Sequence, residues 1–234
     1  MNINKFNINN IKQYAQRVWS NRKRRYIIIG VLIILILLIL IIIIAVSVSG
    51  SDYVKPNCKG ICEKPYNIKV YSDKKLKSQL KKCKYKKDSD LFNFVLAAIK
   101  KHNIYRACHN AQPLLPNCEI MEISQKYAET MPSSHSGAEF HGDWMGENLY
   151  WITGKKPNGE DAVDAWYNEI VDYDFNSHTS KGGKVGHFTQ LIWKNSKEIG
   201  VGYYCNNEKC CVSANYFPGG NYNNDNANQV QNLQ

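Results

Sequence analysis

Gly186-His187-Phe188-Thr189-Gln190-Leu191-Ile192-Trp193 decides how the rest of this 234-residue chain is read. An imidazole able to titrate or to bind a metal stands behind a Gly among apolar Phe188, Leu191 and Trp193. The alternation reads as a half-buried strand over 187–193. Taken alone, the histidine is equally well explained as a packed polar residue. Upstream, Gly146-Glu147-Asn148-Leu149-Tyr150 and Ala165-Trp166-Tyr167-Asn168-Glu169-Ile170 each set a carboxylate in apolar, aromatic surroundings. A buried carboxylate is costly unless it is paired or ligating. Two such Glu and a matching His point to one shared site.

The formal charge of +10 is unevenly spread. Residues 1–25 hold seven Lys/Arg and no acid, and residues 51–90 hold twelve Lys against five acids. Residues 91–234 hold eleven Lys/Arg against fifteen Asp/Glu. The basic balance therefore belongs to the N-terminal part. A nucleic-acid-binding domain needs a basic face on its folded part, so no nucleic-acid partner is expected.

Ile27 to Val48 contains no charge and is broken only by Gly30, Ala45 and Ser47. About 22 residues at roughly 1.5 Å each reach across a hydrocarbon core, longer than the apolar stretch of a cleaved signal peptide. Arg22-Lys23-Arg24-Arg25 before it keeps the N-terminus cytoplasmic. The expectation is a single-span type II signal-anchor over 27–49 behind a basic cytoplasmic tail, 1–26. Everything after Gly50 is then extracellular or lumenal. Ser47-Val48-Ser49 resembles a small-residue cleavage site, and secretion after cleavage near Gly50 is the alternative.

All eight Cys (58, 62, 83, 108, 118, 205, 210, 211) follow the apolar stretch. An even count in an oxidising compartment reads as disulfides. The local candidates are Cys108 with Cys118, and Cys205 with Cys210 or Cys211. A zinc site built on Cys58-x-x-x-Cys62 is the competing reading.

Residues 50–89 are Lys-rich and Pro-punctuated, and read as a solvated stalk pinned by Cys58, Cys62 and Cys83. From Asp90, a candidate N-cap, Leu91, Phe94, Val95 and Ala98 keep helical spacing to about Tyr105 or Arg106. Asn117 caps a second helix with Ile120, Ile123, Tyr127 and Met131 on one face. Residues 132–146 form a Gly/Ser-rich loop. A third helix follows Asn158-Gly159, with Val163, Trp166, Tyr167 and Ile170 on one face. Strand-like stretches at 187–193, 199–205 and 211–217 follow, the last two a hairpin around Asn206-Asn207-Glu208-Lys209. Helices first and antiparallel strands later read as α+β. The Asn/Gln-rich tail, 223–234, reads as disordered.

Six ordered pieces carry a resemblance: His102-Asn103 with Arg106, His135-Ser136, Gly146 to Tyr150, Trp166 to Ile170, Gly186 to Trp193, and Ile199-Gly200-Val201-Gly202. Tyr216-Phe217-Pro218-Gly219-Gly220-Asn221 closes the set. Together residues 90–222 resemble the CAP superfamily, or SCP-like domain, of cysteine-rich secretory proteins, antigen 5 and plant pathogenesis-related proteins. The resemblance implies an α-β-α sandwich with a central antiparallel sheet and an open cleft. It also implies two His and two Glu in that cleft: His135, Glu147, Glu169 and His187. His141, in the same loop as His135, is the alternative for the first. The family's Cys beside Gly146 and between the two glycines are Met145 and Val201 here, so its disulfide connectivity does not transfer.

Two neutral His and two Glu carboxylates balance a dication, and imidazole suits Zn²⁺ or a neighbouring divalent cation. A metal-free Glu–His hydrogen-bonded network explains the same residues. Neither a His-Glu-x-x-His helix nor a Gly-x-Ser-x-Gly elbow is present, so the expectation leans away from an enzyme. The reading is a membrane-anchored or secreted binding or signalling module for a lipid, sterol or extracellular protein. The alternative is a metal-assisted hydrolase or protease using Glu147, Glu169 and His187. His102, Arg106 and His109 are expected to support the fold as hydrogen-bond donors.

Overall fold

The computed structural model describes residues 8–20, 26–38, 51–62, 66–83, 85–87, 89–222 and 225–233. It divides into two compact units, Met1–Gly50 and Ser51–Gln234. In the first, helix α1 spans Ile8–Ser20 and helix α2 covers 26–38, with its apolar side chains largely exposed. The expected span therefore begins as helix. Residues 39–50 lie outside the described residues, and no described helix is long and apolar enough to cross a membrane.

In the second unit, β1 (Tyr53–Val54) pairs with β2 (Val70–Tyr71), and α3 (Asp73–Lys82) follows. The unit then holds α4 (Asp90–Cys108), β3 (Leu115–Pro116), α5 (Cys118–Glu129), a short β4–β5 pair (Glu139–Phe140, Asp143–Trp144) and β6 (Gly146–Thr153). Next come α6 (Asp161–Tyr167) with a 3₁₀ turn over Asn168–Asp172, the β7–β8 pair (Tyr173–Asp174, Thr179–Ser180) and α7 (Gly186–Leu191). The hairpin β9 (Glu198–Cys205) and β10 (Lys209–Phe217) and the short α8 (Asn226–Gln229) complete it.

The main sheet runs β3-β9-β10-β6, antiparallel except where β3 runs parallel to β9. Register sorts its faces, since alternate residues point to opposite sides. Gly200, Asn215 and Glu147 share one face, and Val201, Ala214 and Asn148 the other. Gly200 and Gly202 leave room for α5: a Cβ at either would overlap the backbone of Ile120 or Gln125. On the other face α4 packs its apolar side, with Phe94 stacked 4.1 Å from Tyr203 and His102 bonded through Nε2 to Tyr216 Oη at 2.8 Å. The result is a sheet between helical layers, as the resemblance implies.

Arg106 closes the core around the chain's quoted segment. It is fully buried, and its guanidinium donates to the carbonyls of Gln112, Leu191, Trp193 and Ser196 at 2.8–2.9 Å. Burial pulls its pKa down to about 9. His102 and His109 are likewise buried and pulled down to about 4, burial being the main cause in both. All three are donors inside the fold, as expected.

Several expectations are corrected. The stretch 187–193 is helical over Gly186–Leu191, because Phe188 and Leu191, three residues apart, satisfy a helix face as well as a strand. Gly146–Thr153 forms a strand that the pattern does not announce, because its apolar residues run together at 149–152 without alternation. The helix at Asp90 is capped by Ser89, whose Oγ accepts from Phe92 N. The Lys-rich stretch is not a free stalk: Leu76 and Leu80 of α3 are buried against the core with Phe92 and Phe94. The Asn/Gln-rich tail is ordered where described. Val230 is buried, Gln229 O accepts from Lys194 N, and Gln231 O meets His109 Nδ1 at 2.5 Å.

The disulfides follow from that packing. Cys62 pairs with Cys108, and Cys83 with Cys118, so Cys108 and Cys118 do not pair with each other. Both partners come from the Lys-rich segment, which lies against the helix ends. Cys205 pairs with Cys210, directly opposite it across the β9–β10 ladder. Cys211 points to the other face and stays free, as does Cys58.

Candidate functional site: a cleft over the edge strand

β6 ends the main sheet, and the site forms where its first residues meet elements from both faces. Glu147 points to the α5 face, where the loop after α5 brings His135. His135 Nδ1 lies 2.8 Å from Glu147 Oε1, and the carboxylate also accepts from Ser136 N, Ser136 Oγ and Asn215 Nδ2. The Glu147 side chain is 6% exposed and that of His135 61%. The acid is thus a buried brace under an open imidazole.

The second pair is built on the opposite face. Asn148, next in β6, donates from Nδ2 to His187 O at 2.9 Å and so ties α7 to the strand. His187 Nδ1 lies 2.6 Å from Glu169 Oε1, while Glu169 Oε2 accepts from His187 N and Phe188 N. A carboxylate at the first turn of a helix takes up otherwise unpaired N–H groups. Burial pushes the Glu169 pKa up, but the hydrogen bond and charge of His187 and the two N–H groups together hold it below the usual value.

His135, Glu147, Asn148, Lys184, Val185, Gly186, His187 and Asn221 line a cleft of roughly 280 Å³. Three of the four expected side chains line the cleft, and Glu169 stands behind His187, so the four form two His–Glu pairs. His141 lies elsewhere, with Nε2 3.9 Å from Glu119 Oε2 and its ring against Phe140. Of the two histidines left open, His135 is the one beside Glu147. Ser136 and His135 bond different oxygens of Glu147 and not each other, so they form no nucleophile–base pair.

Three lining residues escaped sequence reasoning. Lys184 sits in a Gly/Lys loop with no pattern to single it out. Asn148 lay within a quoted motif but carried no assigned role. It is buried, and its Oδ1 has no partner among the described residues. Asn221 has a φ of 61°, accepts from Thr189 Oγ1 and donates to Gly186 O, which locks the closing segment to α7.

The donor geometry departs from a four-ligand cage. In both pairs Nδ1 faces its Glu, and neither Nε2 has a hydrogen-bond partner among the described residues. Metal-ligating imidazoles characteristically give their other nitrogen to a carboxylate, which fixes tautomer and ring direction. That arrangement leaves Nε2 of His135 and Nε2 of His187 as the nitrogens open to a ligand, with Glu147 and Glu169 as braces. The four groups do not gather as a tight cluster. Among the described residues, the grouping of three or more His, Cys, Asp or Glu donors within 4.8 Å of one another is that of Cys58, Cys62 and Cys108.

Residues 99–217 match the model of the CAP, cysteine-rich secretory protein, family. Golgi-associated plant pathogenesis-related protein 1 of Homo sapiens is 36% identical over 132 residues, covering 54% of this chain and 84% of that protein. Pathogenesis-related protein 1C of Nicotiana tabacum is 37% identical over 122 residues, covering 51% and 72%. The solved structure of Na-ASP-1 aligns with a TM-score of 0.50 at 20% identity, covering 61% of this chain and 42% of that one. That likeness concerns the fold alone.

Proposed function

The chain belongs to the CAP family of cysteine-rich secretory proteins, and from that premise we propose that it is an extracellular or lumenal binding module with a metal-responsive cleft. Its anchor is the apolar stretch 27–49, or it is secreted after cleavage near Gly50. One observation carries the metal reading. Two imidazoles on opposite sides of an edge strand each give Nδ1 to a largely buried carboxylate and keep Nε2 for a ligand. A bound Zn²⁺ or similar cation would supply a Lewis-acid centre able to hold an anionic or carbonyl group of a lipid or protein partner.

A hydrolase would need a carboxylate ready to take a proton from water. Each oxygen of Glu147 and Glu169 already accepts at least one N–H or O–H. That occupancy supports binding over turnover.

Titration calorimetry of the whole chain with Zn²⁺ tests the reading. Binding is expected near neutral pH and weaker in acid, where protons compete with a cation for imidazole nitrogen. Undiminished binding in the His135→Ala, His187→Ala double variant would overturn it. Zinc-dependent peptide turnover lost in Glu147→Ala would establish the hydrolase instead.

A further inference from the structure

A second cluster of reactive side chains lies outside the cleft. Ile61 N and Cys62 N both donate to Cys58 O, at 2.9 and 3.1 Å, winding Cys58-Lys59-Gly60-Ile61-Cys62 into a single turn. Gly60 makes this turn without strain, at a φ of 78° that a side chain resists. The turn sets the sulfurs of Cys58 and Cys62 against Cys108 at the end of α4, all three within 4.8 Å of one another. Cys62 and Cys108 are bonded, and Cys58 is a free thiol. Cys58 and Cys108 are buried, whereas Cys62 is partly exposed.

We propose that Cys58, Cys62 and Cys108 form a thiol–disulfide exchange centre that can move the free thiol from buried Cys58 to accessible Cys62. The step balances within the trio. Cys58 loses its proton and its thiolate attacks Cys108 Sγ. The Cys58–Cys108 bond forms and the Cys62–Cys108 bond breaks. The electron pair leaves on Cys62 Sγ, which takes up a proton. No oxidant or reductant is consumed, because one disulfide and one thiol stand on each side.

Burial raises the Cys58 thiol above its ordinary pKa, which keeps the thiolate scarce near neutrality. In one isomer the odd cysteine is sheltered. In the other it is a partly exposed thiol able to form a mixed disulfide with a second thiol-bearing molecule.

The test is maleimide labelling of the whole chain, purified without reductant, followed by peptide mass spectrometry. Label is expected on Cys62, accumulating roughly tenfold faster at pH 8 than at pH 7 while thiolate is the minor form. A peptide pair linked through Cys58 and Cys108 should appear in step. In Cys58→Ser the Cys62 label should vanish, and labelling at the unsubstituted rate would overturn the proposal, as would a Cys62 that never labels. Cys62→Ser gives a second check. It should yield a Cys58–Cys108 disulfide, and two free thiols there would sink the idea.

Discussion

Glu169 is the residue through which the cleft's electrostatics are most directly read. Its carboxylate collects three N–H groups at the start of α7, all supplied by His187 and Phe188. A carboxyl held below its unfolded value adds stability that is present above that value, about 4.5. The contribution is lost as pH falls through the lower folded value. Glu169→Gln is therefore expected to lower stability at pH 7 by about 1–3 kcal/mol. The gap should shrink as the pH drops from about 5 to 3, which urea denaturation at stepped pH would measure. A gap independent of pH would mean the charge is not what matters. His187 and the two Glu were legible as residues with a shared purpose, because carboxylates in apolar settings demand a partner. Which nitrogen faced which oxygen was not legible, since that depends on backbone position across a sheet edge.

Among elements, α5 and the β9–β10 hairpin show how small residues set distance. Gly200 and Gly202 face the helix, and Ser124 Oγ reaches Asn215 Oδ1 at 2.8 Å across the contact. A methyl at position 200 would overlap the Ile120 backbone and force the helix away. Gly200→Ala is expected to cost about 1–3 kcal/mol, seen as a lower denaturation midpoint. No loss of midpoint would show that α5 moves freely. The hairpin and α5 were plain in the sequence, with Asn117 capping the helix as expected. The short α7 was not. Six residues carry two core positions, and two apolar positions three apart do not separate helix from strand.

For the whole molecule, the Lys-rich segment changes the picture most. Its lysines suggest a spacer pinned by cysteines; Cys62 and Cys83 do staple it to α4 and α5, but Leu76 and Leu80 are also buried in the core. A cross-link closing a 35-residue separation restricts the unfolded chain by about 4 kcal/mol in the loop-entropy account. Replacing Cys83 and Cys118 together by Ser should destabilise the Ser51–Gln234 unit by that order in chemical denaturation. A loss under about 1 kcal/mol would mark the segment as loosely attached after all. The tail follows the same logic: Val230 is buried, Gln229 Oε1 accepts from Asn195 N and Gln231 O meets His109 Nδ1, despite a composition that reads as disorder.

Taken alone, the sequence determined the family, the two helices at Asp90 and Asn117, the closing hairpin and the two His and two Glu that form the paired contacts. These are properties of local pattern: period, caps, turns and ordered motifs survive in one dimension. Tertiary structure alone decided that His135 rather than His141 joins Glu147, that each Glu braces an imidazole, and that the cysteines pair across the Lys-rich segment. It also converted Gly186–Trp193 from an expected strand to a helical turn. Each of these turns on the direction of a side chain in space, which is set by which face of the sheet or helix it occupies. That face is fixed by packing against residues far away in the chain.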